Sequence, residues 1–223
     1  MSEKIKDSEL YAWAKEYREF DLTAWERLPD IELYMDQVIS YLDRMLHLQE
    51  RCDGAPLLTA SMVNNYVKGG YIPRPNQKRY SRAHIAALYI LCSSKQNLSV
   101  PDAAALLSLL QNSCTIDRLY TLFGERQREI AEELTDILTK DERLSSDELL
   151  NFALDLTLRA SAENLMAERI LDHLKKEEAA KREKELEREK EKAEKEAKEK
   201  AAKEAKVKAE KEAKEKAAKE AKS

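Results

Sequence analysis

Six basic side chains, Lys68, Arg74, Lys78, Arg79, Arg82 and Lys95, fall within residues 57–100, a stretch with no Asp or Glu. Positive charge gathered without internal acid attracts a polyanion, and nucleic-acid phosphate is the first candidate. The flanks have the opposite sign. Residues 1–56 carry 7 basic and 13 acidic side chains (net −6), and residues 129–174 carry 4 and 12 (net −8), so the overall −4 conceals the island. Beside Lys68 stand Asn64 and Asn65, with Ser61 one turn earlier. An Asn amide pairs in bidentate fashion with adenine, and a Lys reaches phosphate or guanine. Four cations, Arg74, Lys78, Arg79 and Arg82, follow within nine residues. The chemistry these residues suit is base reading by one short helix and phosphate contact by an adjoining loop.

Elements to hold those groups are legible on either side. Thr59 or Ser61 caps a short helix whose buried face is Met62, Val63, Tyr66 and Val67, and Gly69-Gly70 end it. Pro73 and Pro75 exclude helix through Arg74, and Asn76-Gln77-Lys78 reads as a turn, so Tyr71-Ile72 is expected to pair with Arg79-Tyr80 as a hairpin. Ser81 then caps a helix whose Ile85, Leu88, Tyr89 and Leu91-Cys92 face inward.

The rest of the chain reads as helix. Residues 7–20 place Leu10, Trp13, Ala14, Tyr17 and Phe20 on one face. Asp30 sits where an N-cap belongs, for a helix to about residue 50 with Leu33, Tyr34, Val38, Tyr41, Leu42, Met45 and Leu48 as its stripe. Ser99 with Pro101 opens a helix to about Gln111. Thr115 opens another to about residue 140 with Leu119, Leu122, Phe123, Ile130, Leu134, Ile137 and Leu138 inward. Ser145 or Ser146 starts a last one with Leu149, Leu150, Ala153, Leu156, Leu165, Ile170 and Leu174 inward. The expected fold is all-α: a helical bundle containing a winged helix-turn-helix with a small β-hairpin wing, followed by a long charged C-terminal helix. The expected divisions are 1–56, 57–112, 113–174 and a Lys/Glu/Ala-rich tail, 175–223. In the tail KEAKEKAAKEAK occurs at 195–206 and again at 211–222, with Glu/Lys pairs four apart at Glu196/Lys200, Glu199/Lys203, Glu212/Lys216 and Glu215/Lys219. Such pairs each add about 0.2–0.5 kcal/mol to a solvated helix, and partial disorder is the alternative.

The segments VNNYVKGGYIPRP and KRYSRAHIAALYIL resemble the winged-helix half of MerR-type regulators, with Val63, Tyr66, Gly70, Ile72, Pro73, Tyr80, Ser81, Ile85 and Leu88 at matching places. With the upstream IELYMDQV, the stretch from about Ile31 to Leu110 more closely resembles a bacterial family of unknown function with a MerR-like winged helix. The resemblance implies a DNA-binding transcriptional regulator. The interface would comprise Ser61, Asn64, Asn65, Lys68, Arg74, Lys78, Arg79 and Arg82. Departures from the MerR pattern are Asn64 where an arginine is usual, no long dimerisation helix directly after the wing, and no downstream cysteine cluster.

An enzyme is not expected. His47, His84 and His173 lie far apart without metal-ligand spacing, and no phosphate-loop, nucleophile-elbow or dinucleotide-binding glycine pattern occurs among four glycines. Neither a cofactor nor a small-molecule ligand is suggested. The odd, scattered Cys52, Cys92 and Cys114 suit a reducing compartment and small buried apolar positions, and with no signal-like or membrane-length apolar run the expected location is cytoplasmic. The expected partners are duplex DNA and a second copy of the chain, with Leu-rich residues 115–174 as either the dimer surface or a purely intramolecular core. The rival reading is a protein-interaction adaptor. An outward Asn64, Asn65, Lys68, Lys78, Arg79 and Arg82 would favour DNA, whereas an outward Tyr66 and Tyr71 would favour a protein.

Overall fold

The computed structural model describes residues 8–50, 54–140 and 144–220, with side chains described outside residues 140 and 197–220. Its helices are α1 (Glu9–Glu19), α2 (Met35–Leu46), α3 (Ala60–Lys68), α4 (Arg82–Ser94), α5 (Val100–Gln111), α6 (Ile116–Lys140) and α7 (Ser146–Glu220), and its strands are β1 (Leu33–Tyr34) and β2 (Arg79–Tyr80). The protein is all-α with a long C-terminal helix. The chain divides into two compact units, Met1–Leu171 and Asp172–Ser223.

The first unit is organised around α4. Eight consecutive residues, Ile85 to Cys92, are buried, so this helix is apolar on every side and has no solvent face there. Helices α2, α5 and α6 pack around it, and α1 packs along α6. Val38 and Leu42 of α2, Leu107 of α5 and Leu119 and Tyr120 of α6 join Leu88 and Leu91 in one core. Fully burying an aliphatic side chain of this size stabilises by about 1.5–3 kcal/mol. The tyrosine hydroxyls inside it are paired. Gln49 donates to the Tyr89 hydroxyl at 3.1 Å, which donates to Gln127 at 2.8 Å, and the Tyr120 hydroxyl donates to the Thr23 carbonyl at 2.8 Å. Cys92 is fully buried and its thiol is pushed up to about 12 by desolvation, as a structural cysteine should be, whereas Cys52 lies outside the described residues.

Caps explain most helix starts. Thr59 accepts from the Met62 N–H at 3.2 Å and Ser99 from the Asp102 N–H at 3.2 Å. Ser145 accepts from the Glu148 N–H at 3.3 Å, while Glu148 accepts from the Ser145 N–H at 2.7 Å. The N-cap expected at Asp30 is not used. Helix α2 starts at Met35, and Gln37 accepts from the Tyr34 N–H at 2.9 Å. Leu33 and Tyr34 are therefore strand, because β2 recruits them.

That recruitment corrects the expected hairpin. Arg79-Tyr80 pairs antiparallel with Leu33-Tyr34, Leu33 opposite Tyr80 and Tyr34 opposite Arg79, and not with Tyr71-Ile72. The Tyr71 and Ile72 N–H groups both donate to the Tyr66 carbonyl, at 2.9 and 3.3 Å, while Gly70 donates to Val67 at 3.2 Å. This is a Schellman-type end to α3, and it commits the backbone that a hairpin would need. Gly70, at φ +73°, supplies the left-handed residue the motif requires.

Several expected inward faces are also turned. On α1 only Ala14 is buried, with Leu10 and Trp13 more than 40% exposed; on α6 Leu122, Ile130 and Ile137 are outward, whereas Tyr120 and Ala131 are core. On α7 Leu150, Leu165 and Ile170 are exposed and Leu171 is buried. These residues face water because α1 and the start of α7 each bury only a narrow strip, with Ala14, Leu138 and Leu144 forming a small separate core.

In the second unit, residues 172–196 of α7 form a largely solvated helix. Lys176 pairs with Asp172 at 2.7 Å, His173 with Glu177 at 3.7 Å and Arg182 with Glu178 at 3.4 Å, all four residues apart. The Glu/Lys pairs read from the repeat reach side chains outside the described ones. No helix among the described residues is long and apolar enough to cross a membrane.

Candidate nucleic-acid interface

Helix α3 has two unlike faces. Val63 and Tyr66 are 0% and 5% exposed, and Met62 and Val67 pack partly buried on the same core. Ser61, Asn64, Asn65 and Lys68 are all exposed. At about 100° per residue these four occupy roughly one third of the helix circumference, a single polar strip on a short helix. Tyr71 is half-buried against the core. The outward groups are thus amides, a hydroxyl and an ammonium, and the aromatics are turned in.

The loop after α3 is pinned at both ends by buried side chains, Ile72 at 1% and Tyr80 at 3% exposure. Between them Arg74, Lys78 and Arg79 are exposed. Its tip is a two-residue turn in which the Arg79 N–H donates to the Asn76 carbonyl at 2.8 Å, with Gln77 at φ 47° and Lys78 at φ 64°. Two successive positive φ values define a type I′ turn, which matches strand twist but prefers Asn-Gly. Holding two long side chains there is strained, by about 1 kcal/mol each. Lys78→Gly is therefore expected to raise stability to urea by about 1 kcal/mol while removing one exposed cation.

The basic island is smaller in space than in sequence. The Lys95 ammonium donates to the Leu57 carbonyl at 2.5 Å, so it braces the approach to α3 against the end of α4. Arg82 is half-buried, with its guanidinium 5.7 Å from the centre of the Trp25 ring. Arg79 lies 5.4 Å from the Tyr34 ring centre but stays exposed. Lys68, Arg74, Lys78 and Arg79 form no ion pair among the described residues, and these four make the outward charge. Trp25 and Tyr34, the aromatic rests for two arginines, are not legible as such in the sequence. The spacing of Tyr34 assigns it to a helix stripe, and nothing in the sequence links Trp25 to Arg82.

His84 ties the loop after α3 to α4. Its Nδ1 accepts from the Ser81 N–H at 3.1 Å and lies 2.8 Å from Ser81 Oγ, and its ring meets Tyr80 edge to face at 5.6 Å. Burial lowers its pKa below the usual 6.5, opposed by the Pro73 and Arg74 backbone and by Glu32. A bare Nδ1 is needed for the cap, so the neutral ring contributes stability that is present above pH 6.5. That contribution is lost as pH falls from the unfolded value through the lowered folded one. His84→Gln keeps an acceptor at the same helix position. Urea unfolding at about pH 7.5 and 5.5 should show a larger acid loss in the wild type than in this variant.

No group of three or more His, Cys, Asp or Glu side chains that could hold a metal ion occurs among the described residues. Neither the curated proteins nor the solved structures yield a match to this chain. Residues 23–123, which hold β1, α2, α3, β2, α4, α5 and the start of α6, match the family model described as Domain of unknown function (DUF1836).

Proposed function

We propose that the protein is a sequence-specific DNA-binding transcriptional regulator of MerR-like type, with α3 in the major groove and the wing on flanking phosphates. The observation that carries this reading is the polar strip of Ser61, Asn64, Asn65 and Lys68 beside exposed Arg74, Lys78 and Arg79, while Tyr66 is buried. Asn64 and Asn65 read base edges, and Lys68, Arg74, Lys78 and Arg79 meet phosphates. Arg82 has a smaller part, since its guanidinium is engaged with Trp25. The decisive experiment is fluorescence anisotropy with a mixed-sequence duplex over a salt series. Binding that strengthens as salt falls supports the proposal; no binding at low salt sinks it.

One helix of 9 residues makes too small an interface for tight specific binding, so a homodimer on two half-sites is part of the proposal. Leu150, Leu154 and Leu158, at 70%, 55% and 61% exposure one turn apart on α7, are the face offered to the second copy. Size-exclusion chromatography with light scattering should give a dimer at micromolar concentration, and a monomer would remove this part. The same exposed leucines favour the rival adaptor reading, in which the partner is a different protein.

A further inference from the structure

A cleft of about 590 Å³ opens in the first unit between α1, α6 and the start of α7, and it reaches the C-terminal end of α4. This volume lies within the range of small-molecule sites. Along α6 its floor is Phe123, Gln127, Ile130, Leu134 and Leu138, which fall on one face and span about 22 Å at 1.5 Å per residue. Trp13 and Phe152 belong to its walls. Trp13 and Ile130 stay 44% and 52% exposed, so apolar surface is left in water that an occupant would cover.

The end near α4 is chemically different. Gln49, Gln96, Asn97 and Gln127 bring four amides together beside Ser93 and Ser94. Amides both donate and accept, so they suit a neutral polar group. Among the described lining residues Arg126 is the one charged side chain. It is paired with Glu129 at 2.7 Å, and the carbonyls at the end of α4 carry partial negative charge. The carbonyls oppose an anionic head, and Arg126, its charge already met by Glu129, offers a head of either sign no unpaired partner.

We infer that this cleft is a binding site for a neutral single-chain amphiphile. The aliphatic chain lies along α6 between Phe123 and Leu138, and an uncharged hydroxyl or amide head is held by the amides near α4. The site stands independently of the DNA reading. Isothermal titration calorimetry of the full chain with 1-decanol, decanoate and decyltrimethylammonium, each below its micelle concentration or solubility limit, tests it. The expected result is saturable one-to-one binding of 1-decanol and at least roughly tenfold weaker binding of both charged chains. Ile130→Glu places a charge on the floor at a half-exposed position that tolerates it. This variant should weaken 1-decanol at least about tenfold with an unchanged far-UV circular dichroism spectrum. Leu134→Ala gives a second, milder variant with a smaller loss. Absence of saturable heat with 1-decanol, tightest binding by either charged chain, or undiminished 1-decanol binding in folded Ile130→Glu would overturn the inference.

Discussion

Lys78→Glu/Arg79→Glu is expected to weaken binding to a mixed-sequence duplex by roughly 30-fold or more near physiological salt, and to flatten the log K against log salt slope by about 1.8. The effects of separate phosphate contacts add. Each neutralised phosphate releases counterions and adds about 0.9 to the slope. Both side chains are exposed and unpaired with any described acid; Lys78 sits on the turn tip, and Arg79, in β2, lies over the Tyr34 ring without being buried. Arg82 is the poorer choice for this test. Its side chain is half-buried against Trp25, whereas Arg79 is exposed, so a charge reversal at Arg82 would disturb packing as well as charge. Matching curves for wild type and double variant would take DNA off the wing and shift the reading to a protein partner.

Tyr66→Ala is expected to destabilise the protein by about 3–5 kcal/mol in urea, whereas Asn64→Ala changes stability by no more than about 0.5 kcal/mol. The two residues share α3 and differ in what surrounds them. The Tyr66 ring is 5% exposed within the core that contains Ile72, Tyr80 and Leu88, and burial pushes its hydroxyl up to about 12. Removing it leaves a void under the helix that carries the polar strip. Asn64 faces water. Comparable losses for the two variants would mean that α3 does not present the face assigned to it, and the base-reading roles of Asn64 and Asn65 would go with it. A loss of about 3–5 kcal/mol is a large part of the roughly 5–15 kcal/mol typical of a domain. Both variants are therefore best compared by urea titration near 25 °C, where an altered midpoint at constant slope isolates stability.

Local chemistry made much of the fold readable in one dimension. Thr59, Ser99 and Ser145 mark helix starts because a short oxygen-bearing side chain satisfies orphan N–H groups wherever the chain turns helical, and Ser81 and Thr115 stand directly before α4 and α6. Gly69-Gly70 marks the end of α3 because glycine takes the left-handed position most cheaply, and Gly70 occupies it. The polar strip of α3 was equally plain, since a 3.6-residue period sorts Val63 and Tyr66 from Asn64, Asn65 and Lys68 without reference to any neighbour.

Tertiary structure decided the rest, in each instance through a contact between residues distant in sequence. Leu33-Tyr34 has the apolar character of a helix stripe and becomes strand because β2 supplies a partner from beyond α3, with Tyr80 opposite Leu33 and Arg79 opposite Tyr34. Arg82 and Lys95 count as charges in a composition but are withdrawn to Trp25 and to the Leu57 carbonyl. The outward leucines of α7 follow an amphipathic pattern, yet periodicity cannot say which of two apolar strips meets the core. The amphiphile cleft has no sequence signature at all. Its walls come from α1, α4, α6, α7 and the residues after α2, and their juxtaposition exists only after these helices have packed around α4.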